Sequence, residues 1–527
     1  MMICVKNLQI PVTAFPAEAS EVESLLKPHI AKFCGLTADD IKGYQVTAKS
    51  IDGRKKPPTL IYTLNVELTN NVKTGLETAE LLTPAELPPL PANPPLYPLV
   101  VGTGPAGLLA AWLLASAGCR PVILDRGFDV ETRAADIARF RSSRVFNPES
   151  NYLIGEGGAG TFSDGKLYTG TRSPYARLIL ELFVKAGAPP EILYLKRPHV
   201  GSDILPQVIR NIRRDIQAMG GKFMFGCAVK TLQVKNNRCS GIITARGEVM
   251  EAPFTVLAHG LGARSLSSEL LRLGVHAVLK GFQIGTRIEH PQTLIDRNQF
   301  GLTSRPAFLG AAEYNFVSRP PEKTGLKNVS TFCMCPGGEI LPSMALAEHL
   351  STNGMSCYQR DSEYANSCLI TTCQPDMFAD ATAAFEFLNH LEKRAFISGG
   401  GDYSAPAQSA AGFVRGEKTL NKVRSSYCFG LSPAAVHDLL PKREADSIVA
   451  ALLHFDKLCR GFINDGTIIG IETGVSSPVR FLRNPQSAES SLSGLYLAGE
   501  GAGAAGGILS AAADGMKIAE SALKNQG

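Results

Sequence analysis

Pro98-Leu-Val-Val-Gly-Thr-Gly-Pro-Ala-Gly-Leu-Leu-Ala-Ala-Trp-Leu-Leu-Ala-Ser-Ala-Gly118, followed by Pro121-Val-Ile-Leu-Asp125, decides the fold. It reads as a short apolar strand, a glycine turn, an uninterrupted helix, a second strand and a terminal carboxylate. Gly102, Gly104 and Gly107 carry the Gly-x-Gly-x-x-Gly spacing, and Asp125 follows Gly107 by 18 residues. An acid at about that distance bonds a ribose hydroxyl in dinucleotide-binding units. The same spacing recurs at Gly155/Gly157/Gly160 and Gly501/Gly503/Gly506. With 51 glycines in 527 residues, chance alone gives about half a copy, so context must separate the three.

Residues 97–119 carry no charge, which raises the alternative of a membrane helix. Gly102, Gly104 and Pro105 break the run where a strand would turn into a helix, and a strand apolar on both faces suits a buried parallel sheet. An empty structural turn would not need these glycines, which remove Cβ atoms where backbone approaches a pyrophosphate. The net charge of +5 is dispersed, so no nucleic-acid or membrane patch is expected. No secretory signal is visible, and the 12 cysteines are spaced irregularly, as suits a cytoplasmic chain. Without a Cys-x-x-Cys or His-x-x-x-His pair, no metal site is expected.

The chain divides by composition. Residues 1–82 read as an α+β module: a strand over Val5–Val12, a helix over Glu18–Phe33, and strands over Gln45–Ile51 and Thr59–Leu68, a ferredoxin-like order. Residues 83–97 form a proline-rich linker, a semi-rigid spacer. Residues 98–274 hold the dinucleotide unit, a helix over Asp203–Gln217 capped by Asp203, and a β-meander that returns to a buried strand at Phe254–Gly260. Residues 275–465, loop-rich and holding seven of the cysteines, read as an inserted α+β substrate domain. Residues 466–527 return to strand, glycine loop and helix. The expected class is α/β, with a Rossmann-like nucleotide-binding domain interrupted by the insertion.

The third glycine cluster cannot be a second dinucleotide unit, because only 21 residues follow Gly506. Glu500 is instead placed to accept a hydrogen bond from a polyhydroxyl such as the ribityl chain of a flavin. A helix beginning near Gly507 would aim free N–H groups and its positive dipole end at an electron-rich ring edge. The alternative is a tight strand–helix joint filled with small residues. The middle cluster, Gly155 to Gly165, has neither a preceding apolar strand nor a following helix. Close approach of backbone to a flat ligand is one reason for such glycine density, and a structural hairpin loop is the other.

Several strings together resemble one family, the largely uncharacterised FAD-dependent dehydrogenases of the glutathione-reductase-type flavoprotein fold. They are Lys49–Lys56, Gly102–Gly107, Gly155–Lys166, Arg287–Gln292, Phe332–Gly338, Asn353–Ser356, Ser476–Val479 and Ala498–Gly503. The resemblance implies one FAD. Gly102, Gly104, Pro105, Ala106, Gly107, Asp125, Arg126 and Val229 would serve its adenosine and pyrophosphate half. Gly499, Glu500, Gly506, Gly507 and Ile508 would serve the ribityl and flavin half, with Gly157, Gly158, Thr161, Ala258 and Gly260 completing the site. Two departures matter. Gly474 and Val475 stand where the family often has an arginine, which weakens the expectation of an acidic substrate. After Gly260 only Ala263 and Arg264 of the family's His-Ser-Ala-Arg-Asp string are matched.

Strand alternation would put Arg287 and Glu289 on one face and His290 on the other. A histidine beside a flavin is suited to moving a proton at neutral pH; an ordinary ion pair on a surface strand is the competing reading. Cys333 and Cys335 point the same way if that stretch is extended, and one intervening residue strains a disulfide between them. Buried inert thiols and a redox-active pair are both open. Arg287, His290, Cys333 and Cys335 are therefore the catalytic candidates. The expected function is FAD-dependent hydride or electron transfer with a small organic substrate, with NAD(P)H a transient donor because no second Rossmann unit is visible. A non-catalytic flavin-fold protein binding a protein or apolar ligand is the alternative.

Overall fold

The computed structural model describes every residue except 70–76, 79–83, 92, 169, 171–172, 421–423 and 527. The chain opens with strand β1 (Met2–Pro11), helix α1 (Lys27–Cys34) and strands β2 (Ile41–Asp52) and β3 (Thr59–Leu68). These strands form an antiparallel sheet in the order β1-β3-β2. Alternation explains β3: Leu60, Tyr62, Leu64, Val66 and Leu68 all face the core. The helix is shorter than its apolar pattern suggested, starting beside Pro28 and stopping at Gly35, whose left-handed φ of 66° ends it. A complete ferredoxin-like unit needs a further helix and strand, which the described residues of this module do not contain. The expected boundary at 82/83 lies outside the described residues.

Next come β4 (Leu99–Val101), α2 (Pro105–Ser116), β5 (Val122–Leu124), α3 (Val130–Ser143), α4 (Ala176–Lys185), α5 (Leu205–Ala218) and β6 (Lys222–Met224). A meander of β7 (Val229–Lys235), β8 (Arg238–Thr244) and β9 (Val249–Glu251) leads to β10 (Thr255–Leu257) and α6 (Arg264–Arg272). β4, β5, β6 and β10 join the late strand Leu495–Leu497 in one parallel sheet. Every residue of α2 from Ala106 to Ala115 is buried, because it lies between α5 and the C-terminal helix. That burial accounts for the uncharged run without a bilayer. No helix among the described residues is long and apolar enough to cross a membrane. Asp203 does not cap α5 as expected; its carboxylate accepts from the Tyr358 amide at 2.8 Å and ties this domain to the insertion.

The insertion holds β11 (Ala277–Leu279), β12 (Phe282–Pro291), α7 (Gln292–Phe300), β13 (Val317–Ser318), β14 (Val329–Cys335), β15 (Glu339–Pro342), β16 (Thr352–Met355) and β17 (Tyr364–Cys373). It continues through α8 (Ala381–Ser398), β18 (Ala405–Ser409), α9 (Ala410–Arg415), β19 (Leu431–Pro433), α10 (Lys442–Leu458) and β20 (Thr467–Glu472). Seven strands form one sheet in the order β13-β14-β17-β12-β20-β18-β19. β20, expected in the returning nucleotide-binding segment, pairs with β12 and β18 inside this sheet. The crossing lies further out, where β11 pairs with β21 (Val479–Phe481). β22 (Leu495–Leu497) and α11 (Ile508–Gln526) then complete the first sheet and its cover.

Register gives the inserted sheet two distinct faces. Arg287 lies opposite Cys368, and Glu289 opposite Asn366. Phe332 also lies opposite Cys368, and Cys335 opposite Asn366. Directly paired residues share a face, so Arg287, Glu289, Phe332 and Cys335 do too. β14 carries one extra residue between Phe332 and Cys335. The bulge falls at Cys333, whose φ of +43° is left-handed. β14 is therefore not simply extended at its cysteines.

Candidate functional site

A cavity of about 510 Å³ runs between the two domains, from the parallel sheet to the inserted one. At one end lies the turn after β4. Gly102 (φ +96°) would place an added Cβ 2.3 Å from the Ala258 carbonyl, and Gly107 would place one 1.8 Å from the Gly102 carbonyl. Gly104, Pro105 and Ala106 line the cavity at the start of α2, whose N-cap Gly104 supplies no side-chain cap. The helix thus presents its amide end and positive dipole to the space. Asp125 also lines it. Its carboxylate accepts from the Thr103 amide at 2.9 Å and the Gly127 amide at 2.8 Å, so it braces the turn itself. Beside it, Arg126 forms a two-pronged pair with Glu149, both contacts 2.8 Å. Val229 lines the same end.

The glycine-rich loop makes the cavity's middle through Gly155, Gly158, Ala159 and Gly160. Gly157 and Thr161, expected to touch the cofactor, do not line it. Gly157 would set a Cβ 2.0 Å from Thr161 Oγ1, and that hydroxyl donates to the Glu156 carbonyl. They hold the loop's shape from behind. The organiser is Arg133 of α3, wholly buried. It donates to the carbonyls of Asn151, Tyr152, Glu156 and Gly158 at 2.6–2.9 Å. Under the loop, Glu156 accepts from the Val130 amide and lies 3.1 Å from Arg213. Burial pushes its pKa up to about 7 against the pull of Arg213.

The third glycine cluster faces the first across the same space. Gly499, Glu500, Gly506, Gly507 and Ile508 line it, with Ala258 and Gly260 beside them. Glu500 accepts from the Ser477 amide at 2.8 Å and lies 3.6 Å from Lys280. An added Cβ would find no atom within 4 Å at Gly260, Gly474 or Gly507, and at Gly104 nothing nearer than 3.9 Å. These cavity-lining positions leave the backbone bare toward open space. Two helix starts, a bare glycine rim and a long cavity reaching both fit an extended dinucleotide such as FAD.

The far end is built by the insertion and by the loop's tail. Asp164, Lys166, Phe332, Cys333, Ser343 and Asn353 line it, with Gly474 and Val475. Lys166 pairs with Asp164 at 2.8 Å, and Arg360 holds the same carboxylate at 2.6 Å. These two cations keep Asp164 well below the usual carboxylate range despite its burial. Arg287 is wholly buried behind this wall, paired to Glu472 at 2.8 Å and donating to Asn353 at 3.0 Å. It positions the wall and does not line the cavity. His290 does not line it either; it sits on the opposite sheet face, bonded to the Phe462 carbonyl at 2.8 Å. Burial pushes its pKa down to about 4, so it is a neutral core histidine, not a proton mover at the cavity. Cys335 is fully buried, while Cys333 reaches the lining. The Cys335 thiol hydrogen-bonds Cys333, and with Lys166 and Arg287 near, this holds Cys333 well below the usual thiol range. Cys335 is pushed up by the same bond and by burial.

Sequence reasoning missed Arg133, Glu149, Lys166 and Asn353. Lys166 and Asn353 sat inside the family-like strings, but nothing in α3 marked Arg133 as different from a surface arginine. Among the described residues no group of three His, Cys, Asp or Glu is arranged to hold a metal ion.

Three family models match the chain. One described as FAD-dependent protein, C-terminal domain-like, matches residues 281–475. An NAD(P)-binding Rossmann-like domain matches 100–157, and a domain of unknown function matches 2–67. An uncharacterised protein of Clostridium beijerinckii is 36% identical over 510 residues, covering 94% of this chain and 95% of its own. Among solved structures, glycine oxidase from Bacillus cereus is similar at 11% identity, covering 82% of this chain and 96% of its own, with a TM-score of 0.38. L-proline dehydrogenase from P. horikoshii is similar at 13% identity, with coverage of 82% and 95% and a TM-score of 0.34.

Proposed function

The chain belongs to the family of FAD-dependent oxidoreductases, and from that premise we propose that it transfers a hydride or electrons between FAD in this cavity and a small organic substrate at the inserted-sheet end. The observation that carries the reading is one continuous cavity joining the Gly102–Ala106 turn to Cys333, Lys166 and Asn353. In this reading the start of α2 takes the pyrophosphate charge and the Arg126–Glu149 pair flanks the adenosine half. Glu500 and the start of α11 take the ribityl and flavin half. The bound flavin supplies the redox chemistry.

The chain's own residues set what the substrate meets. Arg287 and the Gly354 amide both donate to Asn353 Oδ1, so the Asn353 amide nitrogen is left to donate to a carbonyl or carboxylate oxygen. Gly474 and Val475 bring no charge to the wall, which favours a substrate less acidic than an arginine there would select. Lys166 is held by Asp164 and supplies positive potential without being free to leave. NAD(P)H is proposed as a transient donor. All 12 cysteines are free, which supports a reducing, cytoplasmic setting.

Visible absorbance of the purified protein is the first test, and anaerobic bleaching by NADH or NADPH the second. A colourless protein that takes up no FAD on reconstitution overturns the reading. A yellow protein that no hydride donor or organic reductant bleaches points instead to a non-catalytic binder.

A further inference from the structure

We propose that Cys333 and Cys335 form a redox-active dithiol that exchanges two electrons with the bound flavin, which makes small disulfides and dithiols the substrate class. The inference rests on the placement of FAD proposed above.

Four observations converge on the pair. Cys333 lines the cavity at the inserted-sheet end, whereas Cys335 is sealed behind it. An attacking sulfur that is reachable and a resolving sulfur that is protected are the two roles thiol–disulfide exchange needs. The backbone at Cys333 is held left-handed, at φ +43° on a strand bulge. A non-glycine residue stays there only where its surroundings over-determine it. Here Arg287 and the Cys335 thiol both donate to the Cys333 carbonyl, each at 3.3 Å. The bulge takes Cys333 out of the strand's alternation, and the Cys335 thiol turns back onto that same residue, 3.3 Å from its carbonyl. Finally, the pair lies in positive surroundings. Lys166 Nζ is 3.8 Å from Cys335 Sγ, and Arg287 is behind, so a thiolate here is stabilised.

The chemistry balances. In the oxidising direction the Cys333 thiolate and the Cys335 thiol together lose two electrons and the Cys335 proton, and one S–S bond forms. The oxidised flavin gains the two electrons, that proton and a second proton from solvent. The reverse breaks the S–S bond and returns the thiolate–thiol pair. An external disulfide is then reduced in two attacks. Cys333 breaks its S–S bond to give a mixed disulfide, and the first leaving thiolate takes the Cys335 proton. Cys335 attacks the Cys333 sulfur, and the second leaving thiolate takes a proton from solvent. A nicotinamide hydride donor resupplies the flavin. With one residue between the cysteines, the closed bond departs from relaxed disulfide geometry and is readily reduced. That suits a relay rather than a permanent crosslink.

The test is an anaerobic dithionite titration of the FAD-replete protein, followed by flavin absorbance and by the mass of the peptide spanning Phe332 to Cys335. The air-oxidised protein is expected to show this peptide lighter by two hydrogens. Full reduction should take two equivalents of dithionite per flavin. Cys333→Ser and Cys335→Ser should each take one equivalent while keeping FAD, and Cys357→Ser should still take two. Wild-type protein that bleaches fully at one equivalent, with the peptide at its dithiol mass, overturns the proposal even if neither cysteine variant folds. A protein that holds no FAD overturns the placement beneath it as well, so the two failures are distinguishable.

Discussion

Replacing Arg133 by methionine removes the side chain that holds the glycine-rich loop. Of the carbonyls it serves, those of Gly155, Glu156 and Gly158 keep a second donor: the Gly158 amide, the Thr161 hydroxyl and the Thr161 amide. The carbonyls of Asn151 and Tyr152 are bonded by Arg133 Nε and Nη2 at 2.8 and 2.9 Å and have no second donor among the described residues. Leaving two buried acceptors unpaired costs about 1–3 kcal/mol each. Against this, methionine does not bear the desolvation that pulls the guanidinium's pKa down to about 9. The net loss is therefore set low in the range, about 2–3 kcal/mol. Because Gly155, Gly158 and Gly160 line the cavity, the loosened loop should also release FAD roughly tenfold more readily, about 1.4 kcal/mol. Arg133→Lys keeps the charge, but its compact ammonium cannot span carbonyls on both sides of the loop, so it should fall between. Urea unfolding monitored by circular dichroism gives the first quantity and flavin fluorescence on dilution the second. A methionine variant within about 0.5 kcal/mol of wild type, with FAD retention unchanged, would refute the role assigned to Arg133.

Three other outcomes are expected. Gly104→Ala adds a Cβ with no neighbour nearer than 3.9 Å, so the unfolding midpoint should barely move. FAD affinity, measured by fluorescence quenching, should drop at least roughly tenfold, because the new methyl group stands where a pyrophosphate must approach; equal affinity would remove the phosphate assignment. Glu500→Ala deletes the acceptor proposed for the ribityl chain and should weaken FAD retention on gel filtration by about 1–2 kcal/mol. Lastly, burial raises the folded pKa of Glu156 to about 7 from an ordinary 4.5. Its proton is therefore bound more tightly in the native state, and this group's contribution is full below about pH 4.5 and lost as pH rises to about 7. Glu156→Gln should flatten that part of the stability profile by about 1–3 kcal/mol across the window. Parallel profiles for the two proteins would count against the shift.

The parallel-sheet domain was largely legible because its determinants are local. β4, α2 and β5 follow from an apolar run broken by glycines, and the bounds of β3 could be read from alternation alone. The inserted sheet was not legible, because β12, β14, β17 and β20 pair across long separations and several are buried on both faces, which erases the period-two signal. That is why the sequence of β20 reads as part of the returning nucleotide-binding segment, whereas the strand pairs with β12 and β18. Asp203 shows the same limit: its sequence position is that of a helix cap, yet a tertiary partner, the Tyr358 amide, claims its carboxylate. His290 failed for a related reason. Alternation correctly separated it from Arg287, but only the register of the assembled sheet says which of the two faces meets the cavity.

The position of Arg133 shows how the two halves of the molecule depend on each other. Its helix belongs to the dinucleotide-binding domain, and the loop it holds runs on through Asp164 and Lys166. Those residues reach the inserted sheet through Arg360 and Cys335. A buried cation that fixes the loop therefore also fixes the distance between Lys166 and the cysteine pair. If the pair is a relay, Arg133→Met should disturb it at long range. It should slow disulfide closure between Cys333 and Cys335 even in molecules that retain FAD, because Lys166 would no longer be held beside them. If the pair is inert, the same substitution would change cofactor retention alone. Trapping the thiols with iodoacetamide in FAD-replete protein, at equal flavin occupancy, separates the two: unchanged closure kinetics in the variant would break the link drawn between the loop and the sulfurs.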